Sequence, residues 1–176
     1  MGLRKNNRGF TLVELIVSTA ILGIIALGAS AFMAAGSRTY SSLSGSVRLQ
    51  YEAQLAMAQL QEYTVDCATG LAWDESASTL YLVNGSTVHL FVWNEEAGSL
   101  SFGSGSAAET LSVTADALSA EHIAALDVAV QAADKQVAIT LAMERDGQGY
   151  TASQVIALRN EPALAESWPA LWNEIK

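Results

Sequence analysis

The sequence predicts an α+β fold, in which a long N-terminal helix packs on an antiparallel β domain. Three features carry that expectation. Residues 15–37 hold no charged side chain and are almost wholly apolar. The stretch from Val47 to Asp66, VRLQYEAQLAMAQLQEYTVD, repeats apolar residues at helical spacing. After Gly70 the period changes to that of strands, with Asn84-Gly85 between two β-rich runs.

The first run is 23 residues long, Leu15 to Ser37. About 20 apolar residues span a bilayer core as a helix. Arg4, Lys5 and Arg8 precede the run. The positive-inside bias then keeps the N-terminus cytoplasmic and carries the remainder across. Charge divides along the same line. Arg4, Lys5, Arg8 and Arg38 against Glu14 leave residues 1–38 at +3, and five cations against 17 acids leave the rest at −12, for the net −9 of the chain. An acidic body offers no basic stripe for phosphates, so no direct nucleic-acid binding is expected. At 176 residues and 18.6 kDa the chain has room for one modest domain beyond the apolar helix. Cys67 is its one cysteine, which excludes an internal disulfide and a thiolate zinc site.

Glu14 is the anomaly of the apolar region, lying between FTLV and LIV. A carboxylate in hydrocarbon is costly, and such residues usually have a function and a nameable partner. The plainer reading is a side chain that snorkels to the headgroups from the first helical turn. The functional reading needs a cation in the same layer.

The segment Arg8-Gly9-Phe10-Thr11-Leu12-Val13-Glu14-Leu15-Ile16 resembles the class III signal of type IV pilins and type II secretion pseudopilins. It has a short basic leader, a Gly, a Phe and a Glu four residues after the Phe, all ahead of an apolar helix. The resemblance implies a pilin-like fold and cleavage by a prepilin peptidase between Gly9 and Phe10. It also implies N-methylation of Phe10 and an assembly role for Glu14 facing the ammonium of a neighbouring subunit. A residue without a side chain at position 9 allows close approach of the peptidase. A charge pair in a low-dielectric layer attracts strongly, and either member alone is costly, so the pair would act as a register device. The implied product is a structural subunit rather than an enzyme, with no cofactor. It would be held in the inner membrane by a single pass and then assembled into a pilus or secretion-type filament. The implied partners are other pilin or pseudopilin subunits, the prepilin peptidase, the assembly platform and the membrane. Ala31 stands about where many major pilins carry a helix-kinking Pro, which favours a minor subunit. Ala29-Ser30-Ala31 supports a rival reading, an ordinary secretory signal cut after Ala31 to release a soluble binding domain.

The expected organisation is a cleaved leader at 1–9, a transmembrane or filament-core helix at 10–37, a helical stalk at 38–69 and an extracytoplasmic β-rich domain at 70–176. Within the stalk, Leu49, Ala53, Ala56, Leu60 and Tyr63 share one helical face. Gly70 is the expected stop. The Ser/Gly-rich stretch 41–46 leaves two forms open, a continuous helix or two helices joined by a hinge. The stalk and following strands also resemble J-type minor pseudopilins and W-type minor pilins, by pattern over residues 47–160.

In the body, Leu80–Val83 and Thr87–Trp93 are read as a hairpin around Asn84-Gly85. Leu100–Phe102 reads as a third strand, Gly103–Ala108 as a Gly/Ser/Ala loop and Thr110–Thr114 as another short strand. Ile123–Ala132, Gln136–Arg145 and Tyr150–Arg159 form a second set, with a turn at Asp146–Gly149. No catalytic or metal site is expected. Asp127 and Asp134 read as solvent-facing strand residues, and His89 and His122 as surface or structural histidines. Asp146 beside Gly147 reads as a turn rather than a calcium loop. Cys67 reads as a small buried apolar side chain. In the tail, Pro169 suits the first turn of a short helix. Trp168 and Trp172, four apart, then share a face, either against the domain's own sheet or as an aromatic patch for a neighbouring subunit.

Overall fold

The computed structural model describes residues 10–108 and 113–176. The leader, with Gly9, lies outside them, as do residues 109–112, where most of the expected strand 110–114 falls; Val113 and Thr114 carry no regular structure.

Helix α1 runs Leu12–Val65 without interruption. The Ser/Gly stretch does not break it. Ser41 and Ser44 turn their hydroxyls back onto the carbonyls of Arg38 and Ser41, at 2.9 and 3.1 Å, so they do not compete for the backbone elsewhere. The chain divides into two compact units, one up to Ser44 and one from Gly45 to Lys176. In the first, α1 buries nothing: Ile24 is 71% exposed and no residue from 12 to 43 is covered. In the second, Leu49, Ala53, Ala56 and Leu60 are buried as the spacing predicts; Met57 and Thr64 are buried with them, and Tyr63, expected on the same face, is half-buried.

The second unit holds two sheets. Strands β1 (Gly70–Asp74), β2 (Thr79–Asn84), β3 (Thr87–Asn94), β4 (Ser99–Ser106) and β5 (Ala117–Ala120) form a meander. β6 (Ile123–Gln131), β7 (Gln136–Arg145) and β8 (Gln148–Ala157) form a separate three-stranded antiparallel sheet. β9 (Ala163–Ala165) then joins the first sheet beside β1, and α2 (Trp168–Ile175) ends the chain. The turns follow local chemistry. Asp146 and Gly147 both have positive φ, +52° and +75°, the form a two-residue hairpin favours. The β2–β3 turn is Gly85-Ser86, with Asn84 still paired to Thr87.

Side-chain alternation explains how the sheets are covered. Leu80, Leu82 and Phe91 point into a core shared with α1 and with Leu126, Val137, Ile139 and Leu141 of the smaller sheet. Val83, Val88 and Leu90 point the other way, against Trp168 and Leu171 of α2. The larger sheet is therefore buried on both faces at its centre, which accounts for nearly continuous apolar runs such as LYLV.

Three expectations need correction. Residues 103–106 are not a loop but the end of β4, paired through to Thr87↔Ser106. Residues 113–115 pass close over Gly103 and Gly105: a Cβ on Gly103 would meet the Thr114 carbonyl oxygen at 2.4 Å, and one on Gly105 would meet the Val113 side chain at 2.5 Å. The larger sheet is mixed, since β9 lies parallel to β1. After β8 the chain is tied to the end of α1, where Arg159 N–H donates to the Val65 carbonyl and its guanidinium pairs with Asp66. It therefore enters beside β1 in the same direction. Strand β1 begins where only a helix stop is expected, at Gly70.

Candidate functional site

The N-terminal segment begins with the caps of α1. Thr11 Oγ1 accepts the Glu14 backbone N–H at 3.2 Å, and Glu14 Oε2 accepts the Thr11 backbone N–H at 3.4 Å. The Thr11 hydroxyl also donates to that carboxylate oxygen at 3.4 Å. The first helical bond, Leu15 N–H to the Thr11 carbonyl, is 3.2 Å. This is a capping box of the form Thr-x-x-Glu, in which each side chain satisfies the other residue's backbone donor. Glu14 is thus held at the start of the helix, and Thr11 is its capping partner, which the sequence analysis does not identify. The pattern that reveals it, Thr followed three residues later by Glu ahead of an apolar run, is present in the sequence.

The rest of the segment is self-satisfied. Ser18, Thr19 and Ser30 each donate to a carbonyl three or four residues back. The helix therefore turns few unpaired polar groups outward, as a low-dielectric surround demands. Its sequence holds one window long and apolar enough to cross a membrane, and none of that window is buried within the protein. Glu14 is the sole charged side chain from Phe10 to Ser37. Phe10 itself is 77% exposed. Nothing lies within 4 Å of the Cβ positions of Gly23, Gly28 and Gly36, so another helix has open access to the backbone there.

The other residues singled out lie in the second unit. Trp168 is 8% exposed and stacks on Tyr81 at 5.2 Å between ring centroids, and Trp172 stacks on Trp168 at 5.6 Å. The pair does share one face; Trp168 faces the sheet and Trp172 is half-buried at its margin. His89 sits half-buried between Tyr63 and Phe102, and burial holds its pKa below the usual value. Its Nδ1 is buried and has no hydrogen-bond partner among the described residues. Cys67 follows the helix end, buried, and its thiol donates to the Gly70 carbonyl at 3.0 Å. Burial pushes that thiol up to about 11. Asp127 is exposed on β6; Asp134 is exposed too, but in a 3-10 turn over 132–134 rather than in the strand expected for it, and Asp146 is a turn residue beside Arg145. Among the described residues no three His, Cys, Asp or Glu side chains gather as a metal site would require.

A family model, the prokaryotic N-terminal methylation motif, matches residues 4–30. That span covers the basic leader, the Gly9-Phe10 junction, the capping box and the first part of the apolar helix. The chain thus carries a prepilin-type signal, and its N-terminus is that of a type IV pilin-like precursor. The motif marks structural subunits rather than catalysts, and it implies contact with a prepilin peptidase and with other pilin subunits in general. No curated protein and no solved structure matches the chain.

Proposed function

We propose that this pilin-like precursor is a minor pilin or pseudopilin. A prepilin peptidase cuts it between Gly9 and Phe10, Phe10 is N-methylated, and an assembly platform inserts it into a type IV pilus, a secretion-type filament or a tip complex. One observation carries the reading. The prepilin motif at 4–30 overlaps the start of a helix whose residues 12–43 are all exposed. An apolar surface of that length needs hydrocarbon or other helices. Open backbone at Gly23 and Gly28 lets a neighbouring helix approach closely.

Glu14 then has two tasks. One carboxylate oxygen closes the capping box with Thr11. The other is available to the methylated ammonium of Phe10 on a neighbouring subunit. Inside a bundle of apolar helices an unpaired charge is heavily penalised, so the pairing selects a single axial register. The body's pattern, like that of J-type pseudopilins and W-type pilins, supports a minor rather than a bulk subunit, as does Ala31 in place of a kinking proline.

Mass spectrometry of the mature N-terminus tests this. An N-methylated Phe10 at the start of the chain is expected. A chain starting at Phe32 refutes the proposal in favour of a secreted soluble domain.

A further inference from the structure

Asn84-Gly85, the turn signal of the β2–β3 hairpin, is also the one Asn-Gly dipeptide in the chain. Such a pair has a chemistry of its own. The backbone nitrogen after an asparagine can attack the side-chain carbonyl carbon, and glycine at that position puts no side chain in the way. Nothing shields the pair sterically here. Gly85 is exposed, and beyond its chain neighbours no atom lies within 4 Å of its Cβ position.

Hydrogen bonds to the linker between α1 and β1 hold both reacting groups instead. Gly85 N–H, the nucleophile, donates to Thr69 Oγ1 at 2.8 Å. Ala68 N–H donates to Asn84 Oδ1, on the electrophile, at 2.7 Å. Thr69 N–H donates to the Val83 carbonyl at 3.0 Å, which lays the linker along the end of β2. The Asn84 backbone is fixed as well, by its pairing with Thr87.

We propose that Asn84-Gly85 is a latent self-modification site, kept intact by the clasp of Thr69 on Gly85 and of Ala68 on Asn84. In the reaction, solvent base removes the Gly85 amide proton and the nitrogen attacks Asn84 Cγ. The Cγ–Nδ2 bond breaks, and ammonia leaves with a proton from solvent. The product is a cyclic imide, which water then opens. Hydrolysis at Cγ leaves aspartate. Hydrolysis at the backbone carbonyl carbon leaves isoaspartate, with the main chain running through the former side chain. The balance is water in and ammonia out, with no oxidant or reductant.

The clasp opposes the first step at two points. The Gly85 proton rests on a hydroxyl oxygen rather than facing solvent base, so its removal waits for local opening. The Asn84 carboxamide cannot turn its carbon towards the nitrogen without giving up Ala68. The attack also needs the Asn84–Gly85 peptide plane to leave the extended form that pairing with Thr87 fixes. Isoaspartate lengthens the main chain inside the hairpin, so neither bond of the clasp is restored in its present geometry. An opening of the linker from the hairpin is thereby made permanent. Asn94, Asn160 and Asn173 each precede a glutamate, whose side chain hinders the same attack, and they serve as internal comparators.

The test uses the full chain in detergent at mildly alkaline pH. Conversion at residues 84, 94, 160 and 173 is followed by peptide mass spectrometry that separates aspartate from isoaspartate. Residue 84 of the native chain is expected to convert at least about tenfold more slowly than in the same chain unfolded in urea. Thr69→Val removes the acceptor and keeps the shape, and should speed conversion about tenfold, the effect of one lost hydrogen bond on an opening equilibrium. Thr69→Ser keeps the hydroxyl and should stay near wild type. Exchange of the Gly85 amide hydrogen should quicken in parallel with conversion, and near-ultraviolet circular dichroism checks that each variant is folded. Equal rates in the native and unfolded chains, a folded Thr69→Val no faster than wild type, or a wild-type Gly85 N–H exchanging like an unstructured amide would overturn the proposal. Should Thr69→Val fail to fold, the native-to-unfolded ratio and the wild-type Gly85 exchange decide it alone.

Discussion

Glutamine at position 14 separates the two tasks assigned to Glu14. A capping box accepts Gln as well as Glu at its third position, so Glu14→Gln keeps the bond from Thr11 N–H and the helix start. It removes only the charge. Leaving one member of a desolvated ion pair alone costs roughly 3–5 kcal/mol, or about two to nearly four decades in an equilibrium constant. Thr11→Ala does the reverse, opening the box at a cost of about 1 kcal/mol, near fivefold, while leaving the charge. Glu14→Ala loses both. The assay is the ratio of processed subunit in sheared filaments to that in the membrane pool, with Phe10 cleavage monitored for each variant. The expected order of incorporation is wild type, then Thr11→Ala slightly below it, then Glu14→Gln far below, then Glu14→Ala. Normal incorporation of Glu14→Gln would refute charge pairing. A Thr11→Ala defect as large as that of Glu14→Gln would show that the cap, not the charge, governs insertion.

Three further outcomes follow from the body. Cys67, its thiol raised to about 11 by burial, should resist iodoacetamide at pH 8 in the native chain and react once the chain is unfolded. Because its folded value lies above the reference 9.0, its contribution to stability is complete below pH 9 and is lost as pH rises towards 11; Cys67→Ala should flatten that decline. His89 is shifted the opposite way by burial, so its neutral form favours the fold. The body should lose stability as pH falls below about 6.5, and urea midpoints of His89→Phe should lack that slope. Gly70→Val would drive a side chain into Leu171, whose Cδ1 already lies 2.8 Å from the Cβ position, and should cost about 1–3 kcal/mol with a changed near-ultraviolet signal from the Trp168–Trp172 stack.

What the sequence made legible tracks the strength of local signals. Most of the buried stripe of α1, Leu49, Ala53, Ala56 and Leu60, is legible from its 3.6-residue period, while Met57, beside Ala56 on the same face, is not singled out by it. β7 could be placed to the residue, since its alternation is clean on a sheet with one solvated face. Strands β1, β5 and β9 were not legible. They are three to five residues long, and what holds them is pairing with distant segments, such as Gly70↔Ala163. Gly103 and Gly105 misled for a related reason: their glycines answer a close approach by residues 113–115, which no local pattern announces. At the N-terminus the prepilin signal is plain in nine residues, whereas the Thr-x-x-Glu of the capping box within them becomes evident only once the helix start at Leu12 is fixed.

The boundary at Gly45 yields the last prediction. The sequence divides naturally at Gly70, where helix gives way to strands, but the core does not divide there. Leu49, Met57 and Leu60 of α1 are buried among Leu71, Phe91, Leu100, Ile139 and Leu141. Burying such a side chain contributes about 1.5–3 kcal/mol, so these three alone supply roughly 5–9 kcal/mol. That is comparable with the whole stability of a typical domain, about 5–15 kcal/mol. A chain starting at Gly45 should therefore be a soluble, cooperatively folding, acidic domain, freed of the exposed apolar run before it. A chain starting at Gly70 should not fold, although it keeps every strand. Circular dichroism and thermal melts of the two would decide it. A cooperative melt from the shorter chain would mean that the helix is a detachable stalk; its absence would mean that the second half of α1 is the domain's central core element.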